Sequence, residues 1–291
     1  MPASTLPIQN TDLPELPEVE TIRRGVERWL PGHKVRRAVL RRPDLRWPIP
    51  RAAFLDLIGR RCEEVTRRSK YLLIRFSGRG QPTAMIHLGM SGQLLIEVTR
   101  PREPRPRYEK HEHWRLDCGD RLVRFMDPRR FGSLDVVPTD QLASHRLLAE
   151  LGPEPLDPAF DGTALHEMTR GRKVGIKSFL MNAKNVVGIG NIYASEICFL
   201  AGVRPHRSVR RLTHKHCKAL AAATREILEQ AIREGGTSLR DYVGVEADTG
   251  YFQQSLSVYG RVGETCDQCN SVIKQIVESG RSSFYCPRCQ S

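Results

Sequence analysis

YLLIRFSGRGQPTAMIHLGMSGQLLIEV, residues 71–98, contains three short apolar runs, at 71–76, 84–88 and 93–98, separated by segments that contain glycine, serine and proline. Runs of the same kind follow at residues 113–117, 121–126 and 133–137. Short runs rich in Leu, Ile, Val, Phe and Tyr between turn residues are typical of antiparallel strands in a sandwich or a barrel. The pattern therefore predicts a β-rich first domain over residues 13–150.

A helix is predicted ahead of these strands. Between Pro17 and Leu30, apolar residues recur at near-helical spacing. A proline and two glutamates occupy the first turn, where the fixed φ of proline and the helix dipole favour them. The first domain is therefore expected to begin with a helix that contributes its apolar stripe to the core.

Helical patterns dominate after a boundary segment at residues 151–162, which is dense in Pro, Gly and Asp. Residues 173–181 and 191–202 each predict a helix. A longer helix is predicted over residues 213–235, with a threonine N-cap at its start and a pair of glycines at its end. These elements define a mainly helical second domain over residues 151–260.

The composition favours a polyanionic partner. Lys and Arg number 46 against 33 Asp and Glu, which gives a formal net charge of +13. A charge of this sign favours nucleic acid. Adhesion to anionic lipid is the alternative, but no amphipathic basic helix supports it. Since no run approaches the roughly 18 apolar residues that span a bilayer, we expect a soluble protein without membrane contact.

The cysteines and the first residues indicate the compartment. Four of the eight cysteines are scattered singly, which is typical of a reduced, intracellular protein. Residues 1–12 lack the basic and apolar regions of a secretory signal. We therefore expect a cytoplasmic protein.

The other four cysteines have the spacing of a metal site. They form C-x2-C-x16-C-x2-C and are Cys266, Cys269, Cys286 and Cys289. Two-residue spacers direct both thiolates of a pair at one tetrahedral ion, and a tail of about 30 residues has too small a core to fold unaided. Disulfides or a redox pair are the alternatives. We expect one structural Zn²⁺, with no open coordination position, in a third domain over residues 261–291.

A β-hairpin is predicted between the two cysteine pairs. Polar and apolar residues alternate over residues 272–278, and GRSSFYC follows at 280–286. This pattern places Arg281 at or near the tip of the hairpin. From its position alone, Arg281 would be interpreted as a phosphate contact or a solvated turn residue.

Three stretches occur together: PELPEVETIRRGVE at 14–27, VVGIGNIYASE at 186–196 and GRSSFYCPRCQ at 280–290. In this combination the chain resembles the formamidopyrimidine-DNA glycosylase family of bacterial base-excision repair, from about Leu13 to the last residue. The sister family, endonuclease VIII, shares the architecture but typically has Gly after the first Pro-Glu, where this chain has Leu16.

The resemblance implies both a fold and an activity. The fold is α+β: an N-terminal antiparallel β-sandwich with a leading helix, a helix–two-turn–helix domain and a C-terminal zinc-finger β-hairpin. The activity is that of a bifunctional DNA glycosylase and AP lyase, which releases oxidised purines such as 8-oxoguanine and formamidopyrimidines. The implied partner is double-stranded DNA containing oxidised bases, bound by a monomer that associates with the bacterial nucleoid when it acts.

The resemblance implies that three side chains fill the gap left by the damaged nucleotide. A base inside a duplex is out of reach of a nucleophile, so the nucleotide must be extruded. Met90 and Phe131 would replace the lost stacking, and Arg129 would bind the orphaned partner base. Without the resemblance, Met90 and Phe131 fit a core equally well, although the turn LGMSG suits core packing poorly. A loop at residues 237–255 would cover the extruded base.

The resemblance also implies contacts to the DNA backbone. Asn191 lies in the GIGN turn at the start of a predicted helix, and helix N-termini favour phosphate. Further backbone contacts are implied for Lys110, His111 and Arg172. By itself, each of these three side chains would be interpreted as a solvated charge.

The implied chemistry begins at an N-terminal proline, which Pro14 matches. Its secondary amine attacks C1′ of the damaged nucleotide, expels the base and forms an iminium (Schiff base) that drives β- and then δ-elimination. Glu15 corresponds to the general acid, Lys70 to the proton donor linked with β-elimination, and Arg281 to the residue linked with δ-elimination. Without the resemblance, Glu15 fits a helix-entry carboxylate and Lys70 a strand-edge charge.

The chain departs from the family pattern before Pro14. Residues 1–12 and Leu13 precede it, and an acylated proline nitrogen has its lone pair delocalised into the amide. Leu13 stands where the family has the initiator Met, so our preferred hypothesis is that translation starts there at a UUG or CUG codon. Proteolytic removal is a second hypothesis; the third is a retained extension and a catalytically silent binder of damaged DNA. Pro2 would also become terminal after Met removal, but Ala3 follows it in place of a carboxylic acid.

Overall fold

The structure is a computed structural model that describes residues 14–100, 105–236 and 255–291. Its helices are α1 (Leu16–Trp29), α2 (Arg51–Leu55), α3 (Gly162–Thr169), α4 (Ile176–Leu180), α5 (Asn191–Leu200) and α6 (His214–Arg233). Its strands are β1 (Arg37–Leu40), β2 (Cys62–Arg68), β3 (Tyr71–Phe76), β4 (Pro82–His87), β5 (Gln93–Val98), β6 (Glu112–Asp117), β7 (Arg121–Met126), β8 (Ser133–Pro138), β9 (Lys274–Glu278) and β10 (Arg281–Tyr285). None of these helices is both long and apolar enough to cross a bilayer.

Two four-stranded antiparallel sheets form the first domain. One has the strand order β2-β3-β4-β8 and the other β1-β6-β7-β5. Buried side chains from both sheets and from α1 belong to one hydrophobic core. Within it, the indole of Trp114 stacks on Phe125 with ring centroids 5.3 Å apart, and Phe54 meets Trp114 edge-on at 5.8 Å. The first domain is therefore a β-sandwich rather than a barrel.

The leading helix α1 packs on this core through its apolar stripe, which includes Val19 and Val26. It begins at Leu16, one residue earlier than predicted, because Glu15 acts as its N-cap. The Glu15 N–H donates to the Glu18 carboxylate at 2.9 Å and so satisfies one of the backbone donors that a helix start leaves open.

The second core lies among α3, α4, α5 and α6. The long helix α6 is capped as predicted. At its start, Thr213 Oγ1 accepts a hydrogen bond from the His216 N–H, and at its end Gly235 and Gly236 adopt positive φ.

The helix predicted over residues 173–181 is shorter in the structure, where α4 starts at Ile176. The Val174 carbonyl accepts the N–H of Val209, and the Ile176 N–H donates to the Arg207 carbonyl, both at 2.9 Å. Pairing with the segment before α6 therefore holds the preceding residues in an extended conformation. The apolar spacing of a short run does not report such a distant partner.

The third region is the antiparallel β9–β10 hairpin and the knuckles around it, with Arg281 paired to Glu278 in the register. A buried carboxylate of α5 joins this region to the helical domain. Glu196 accepts three backbone N–H hydrogen bonds from residues 257–259, at 2.8–3.0 Å. Phe199 of the same helix packs in one hydrophobic cluster with Phe284 of β10, so the hairpin is anchored on the helix that carries Asn191.

Replacing Phe125 by alanine should lower the free energy of unfolding by about 3–5 kcal/mol, because the change removes a stacked ring from a fully buried position. Phe131→Ala is the matched control. Its ring is 44% exposed, so the expected change is within about 0.5 kcal/mol. Urea unfolding followed by tryptophan fluorescence measures both, and equal losses would contradict this description of the core.

Candidate active site and metal centre

The four cysteines of the C-terminal region converge on one point. Their Sγ atoms all lie within 4.8 Å of one another, with Cys269 3.4 Å from Cys286 and Cys266 3.9 Å from Cys289. Tetrahedral zinc with bonds of about 2.3 Å requires sulfur–sulfur separations of about 3.8 Å. All four are free thiols rather than disulfides. The set therefore fits the predicted structural Zn²⁺ and leaves no coordination position for a substrate.

The zinc knuckles support the hairpin that presents Arg281. Ser279 and Gly280 connect β9 to β10 with φ of 49° and 74°, the left-handed values that a tight hairpin turn requires. Arg281 is the first residue of β10 and is exposed next to the tip, at the expected position. Together with Lys177 it lines a cavity of about 350 Å³ between the hairpin and α4.

Lys177 is a site residue that the sequence did not single out. It is buried, and its Nζ donates to Asn191 Oδ1 at 2.7 Å, to Ser283 Oγ at 3.0 Å and to the Ser282 carbonyl at 2.5 Å. Burial lowers its pKa to about 8. The available signal was a lysine inside the apolar run GIKSFLM. One ammonium therefore ties α4, the N-terminus of α5 and the hairpin together.

The Glu15 carboxyl lies at the N-terminus of α5. It is buried, one oxygen accepts the Ile192 N–H at 3.0 Å, and the other accepts the Gly190 N–H. A Cβ on Gly190 would lie 2.3 Å from the Glu15 carboxyl, so only glycine allows this approach. Burial raises the pKa of Glu15 to about 7, against the opposing charge of Lys70. Pro14, also buried, is therefore held beside the GIGN turn.

Lys70 lies in the turn between β2 and β3, where Ser69 adopts φ of 56°. A carboxylate of the boundary segment holds this turn in place. Glu154 accepts the Ser69 N–H at 2.7 Å and pairs with Arg67 at 2.8 Å. Since Lys70 opposes the rise in the pKa of Glu15, the two side chains belong to one electrostatic site.

The structure brings Met90, Arg129 and Phe131 together at adjoining turns. Met90 is half-buried in the turn that connects β4 to β5. Arg129 and Phe131 are exposed in the turn that connects β7 to β8. The Arg129 N–H donates to Ser91 Oγ at 3.2 Å, and the Arg129 guanidinium lies 4.8 Å from the centre of the Phe131 ring. With 44% of its surface exposed, Phe131 is not a core residue.

Lys110 and His111 lie in the exposed turn before β6, where His111 has φ of 66°. A buried guanidinium supports this turn from below. Arg124 contacts the Glu109 carboxylate at 2.7 Å and the Glu112 carboxylate at 2.9 Å. Both side chains therefore lie above a charge-paired base at one end of the second sheet.

Arg172 lies on the helical domain, between α3 and α4. Its guanidinium donates to the Asn185 side chain and stands 5.4 Å from the centre of the Phe179 ring. Asn185 in turn donates to the Phe179 carbonyl at 3.0 Å. Arg172 is thus fixed near the loop that leads to the GIGN turn, separately from the sandwich residues. The loop expected at residues 237–255 lies outside the described residues except for its last one.

His87 is a second residue that the sequence did not single out. Its Nδ1 accepts the Gly89 N–H at 3.0 Å, and its ring lies 4.9 Å from that of Tyr71. Burial, with a smaller contribution from the charge of Lys70, lowers the pKa of His87 to about 4. The imidazole of His87 is therefore neutral at neutral pH.

Family models match the chain in three consecutive parts. The formamidopyrimidine-DNA glycosylase N-terminal domain matches residues 13–134, and the H2TH domain of the same family matches residues 151–243. A zinc finger found in FPG and IleRS matches residues 263–291.

Individual proteins match over nearly the whole chain. The formamidopyrimidine-DNA glycosylases of Thioalkalivibrio sulfidiphilus and Thiobacillus denitrificans are 49% and 47% identical, over 96% of this chain and 100% of each relative. A solved complex of Lactococcus lactis Fpg with DNA containing an abasic site superposes with a TM-score of 0.85 at 33% identity, covering 95% of this chain and 99% of that one. A complex of the same protein with DNA containing Fapy-dG superposes with a TM-score of 0.83 at 32% sequence identity, covering 95% of this chain and 100% of that one.

Substitution of one zinc ligand should abolish metal binding. We expect one Zn²⁺ per unaltered chain by native mass spectrometry and none in Cys286→Ser, because three thiolates no longer close the tetrahedral site. Cys217→Ala is the matched control: this thiol is buried within α6, away from the cluster, and the variant should retain its zinc. Full zinc occupancy in Cys286→Ser would contradict the assignment.

Proposed function

The chain belongs to the formamidopyrimidine-DNA glycosylase family, and we propose that its attacking atom is the imino nitrogen of Pro14. It is a base-excision repair enzyme for oxidised purines in double-stranded DNA, a DNA glycosylase and AP lyase. One observation carries the proposal for Pro14. The neighbouring Glu15 carboxyl is buried against the Gly190 and Ile192 N–H groups, with its pKa raised to about 7.

The proposed reaction starts with the lone pair of the Pro14 nitrogen. The N–C1′ bond forms as the bond from C1′ to the base breaks, and the base leaves with the electron pair and takes up a proton. Loss of the amine proton and opening of the sugar ring then give an iminium at C1′. This electron sink acidifies C2′, so that β-elimination releases one phosphate and δ-elimination the other; hydrolysis of the iminium frees the proline.

We assign the general acid role to Glu15. With a pKa of about 7, the Glu15 carboxyl is protonated in a substantial fraction of the molecules at neutral pH. It is also acidic enough to donate that proton to the substrate. The proton would go to the sugar ring oxygen or to the departing base. Pro14 and Glu15 are adjacent in the chain, which supports a nucleophile and a general acid that act on the same nucleotide.

Two cations complete the proposed catalytic set. Lys70 shares an electrostatic site with Glu15 and would act in β-elimination. Arg281 projects from the hairpin beside the cavity that it shares with Lys177 and would act in δ-elimination. Each positive charge would also stabilise the phosphate that leaves.

The DNA contacts are proposed on similar grounds. Asn191, at the N-terminus of α5, and the exposed side chains of Lys110, His111 and Arg172 would bind backbone phosphates. Met90, Arg129 and Phe131, which the structure places at adjoining turns, would fill the gap left by the extruded nucleotide. The formal net charge of +13 favours such a surface.

We further propose that the protein acts as a monomer on the chromosomal DNA of a bacterial cytoplasm. The proposed catalytic, DNA-binding and zinc residues all belong to one chain. The two relatives described above, which match it over their full length, are bacterial proteins.

A chain that begins at Pro14 should form a covalent adduct with a duplex containing an oxidised purine when borohydride is present, because reduction captures the iminium. The full 291-residue chain, with its N-terminus verified by intact mass, is the control and should bind the duplex without being trapped. Peptide mapping of any adduct distinguishes Pro14 from Pro2. An adduct elsewhere than Pro14 would contradict the nucleophile, and failure of both chains to be trapped would favour the silent binder.

The rate of base excision should decline as pH rises through about 7. The pKa of Glu15 is raised to about 7, so the protonated acid is present below that pH and is lost above it. Single-turnover kinetics of a chain beginning at Pro14 measure the profile.

Two variants test whether Glu15 causes this decline. Glu15→Gln should lower the rate by about 10²–10⁴-fold and remove the alkaline limb. Glu20→Gln is the control on the same helix: ion pairs to Arg23 and Arg67 lower the pKa of Glu20, so the profile should not change. An unchanged alkaline limb in Glu15→Gln would exclude it as the acid.

A further inference from the structure

A buried carboxylate, Asp127, lies where the DNA-facing turns of the sandwich meet. It is 0% exposed and follows β7 directly. On either side of it are the two wedge turns, residues 88–92 with Met90 and residues 128–132 with Arg129 and Phe131. We propose that Asp127 is a positioning residue that aligns the wedge turns for insertion into the gap left by the extruded nucleotide. This inference rests on the void-filling role proposed above.

The side chain of Asp127 joins the two wedge turns directly. Its Oδ1 accepts hydrogen bonds from Ser91 Oγ at 2.6 Å and from the Arg129 N–H at 3.3 Å. Its Oδ2 accepts the Gly132 N–H at 2.8 Å. One carboxylate therefore binds donors from the turn that carries Met90 and from the turn that carries Phe131.

The backbone of Asp127 extends the connection to the turn that carries Lys110 and His111. Its N–H donates to the His111 carbonyl at 3.0 Å, and its carbonyl accepts a hydrogen bond from His113 Nε2 at 2.7 Å. A proposed phosphate contact and the proposed wedge therefore share one anchoring residue.

The two wedge turns are also closely packed against each other. A Cβ on Gly89, which has φ of +66°, would lie 2.3 Å from the Phe131 backbone. A Cβ on Gly132 would lie 3.0 Å from Asp127 Oδ2. Because the two turns touch through glycine backbone, we expect a shift of residues 128–132, which follow Asp127 directly, to displace residues 88–92 as well.

The chemistry of the site favours a carboxylate that serves as a hydrogen-bond acceptor. The donors that the described part of the chain supplies to Asp127 are a hydroxyl and backbone amides, which are neutral. Burying a carboxylate without a cation is unfavourable, and an apolar side chain would be preferred if packing alone were needed.

The test uses chains that begin at Pro14. It compares base excision and unstacking, which need the wedge turns, with cleavage of a preformed abasic site in a single strand, which does not. Asp127→Asn retains the shape but replaces one of the two acceptor oxygens by a donor, so the side chain can no longer accept hydrogen bonds from the Met90 turn and from the Phe131 turn through both of its ends. Ser91→Ala removes only the hydroxyl that links the Met90 turn to Asp127. Asp135→Asn is the matched control, because Asp135 is half-buried on β8 and pairs with His145 at 3.1 Å, away from the wedge turns.

Three measurements are made on each variant: single-turnover excision from an oxidised-purine duplex, unstacking reported by a fluorescent purine analogue beside the lesion, and cleavage of a single strand with a preformed abasic site. In Asp127→Asn, excision should fall about 10- to 100-fold and the fluorescence change should be lost, whereas single-strand cleavage stays within about twofold. Ser91→Ala should show a smaller effect of the same kind, and Asp135→Asn none.

The outcomes separate this inference from the function on which it rests. Equal losses on both substrates, or unaltered excision and fluorescence in Asp127→Asn, would overturn the positioning role. If Asp127→Asn fails to fold, Ser91→Ala decides by the same comparison. If the unaltered chain itself does not cleave the preformed abasic strand, the proposed nucleophile fails instead.

Discussion

The buried hydrogen bonds between the Glu15 carboxyl and the N-terminus of α5 are the interaction on which the site depends. They join the first turn of the chain's leading helix to residues about 175 positions later, across two separate hydrophobic cores. Because Gly190 has no side chain, the Glu15 carboxyl can approach its backbone closely and the two segments meet. Burial between the two segments desolvates Glu15 and raises its pKa to about 7, although the two N–H hydrogen bonds themselves act to lower it.

A second buried charge links this contact to the metal centre. Lys177 binds Asn191 at the start of α5 and Ser282 and Ser283 on the hairpin, while Glu196 holds the residues that lead into the finger. The zinc ion, which has no open position for chemistry, stabilises the hairpin that these contacts orient. A structural metal thereby influences where Arg281 stands relative to Asn191.

Local signals predicted those parts of the fold that local forces decide. The strands at 71–76, 93–98 and 121–126 have the bounds that their apolar runs indicated, since turn residues delimit them. The strand at 62–68 was not anticipated, because CEEVTRR carries few apolar residues and a register shift interrupts its pairing. Extended residues ahead of α4 were mistaken for helix, because their partner lies more than 30 residues away.

Residue types at short, fixed spacings were sufficient to identify the zinc ligands, the β-rich and helical regions and the family. The identity of the buried polar groups and of their partners, in contrast, depends on how the elements pack. Lys177 and Asp127 look like ordinary charges in the sequence, yet each is enclosed by donors or acceptors from distant segments. Burial and long-range hydrogen bonding arise when separate elements pack together, and no pattern within a single element encodes them.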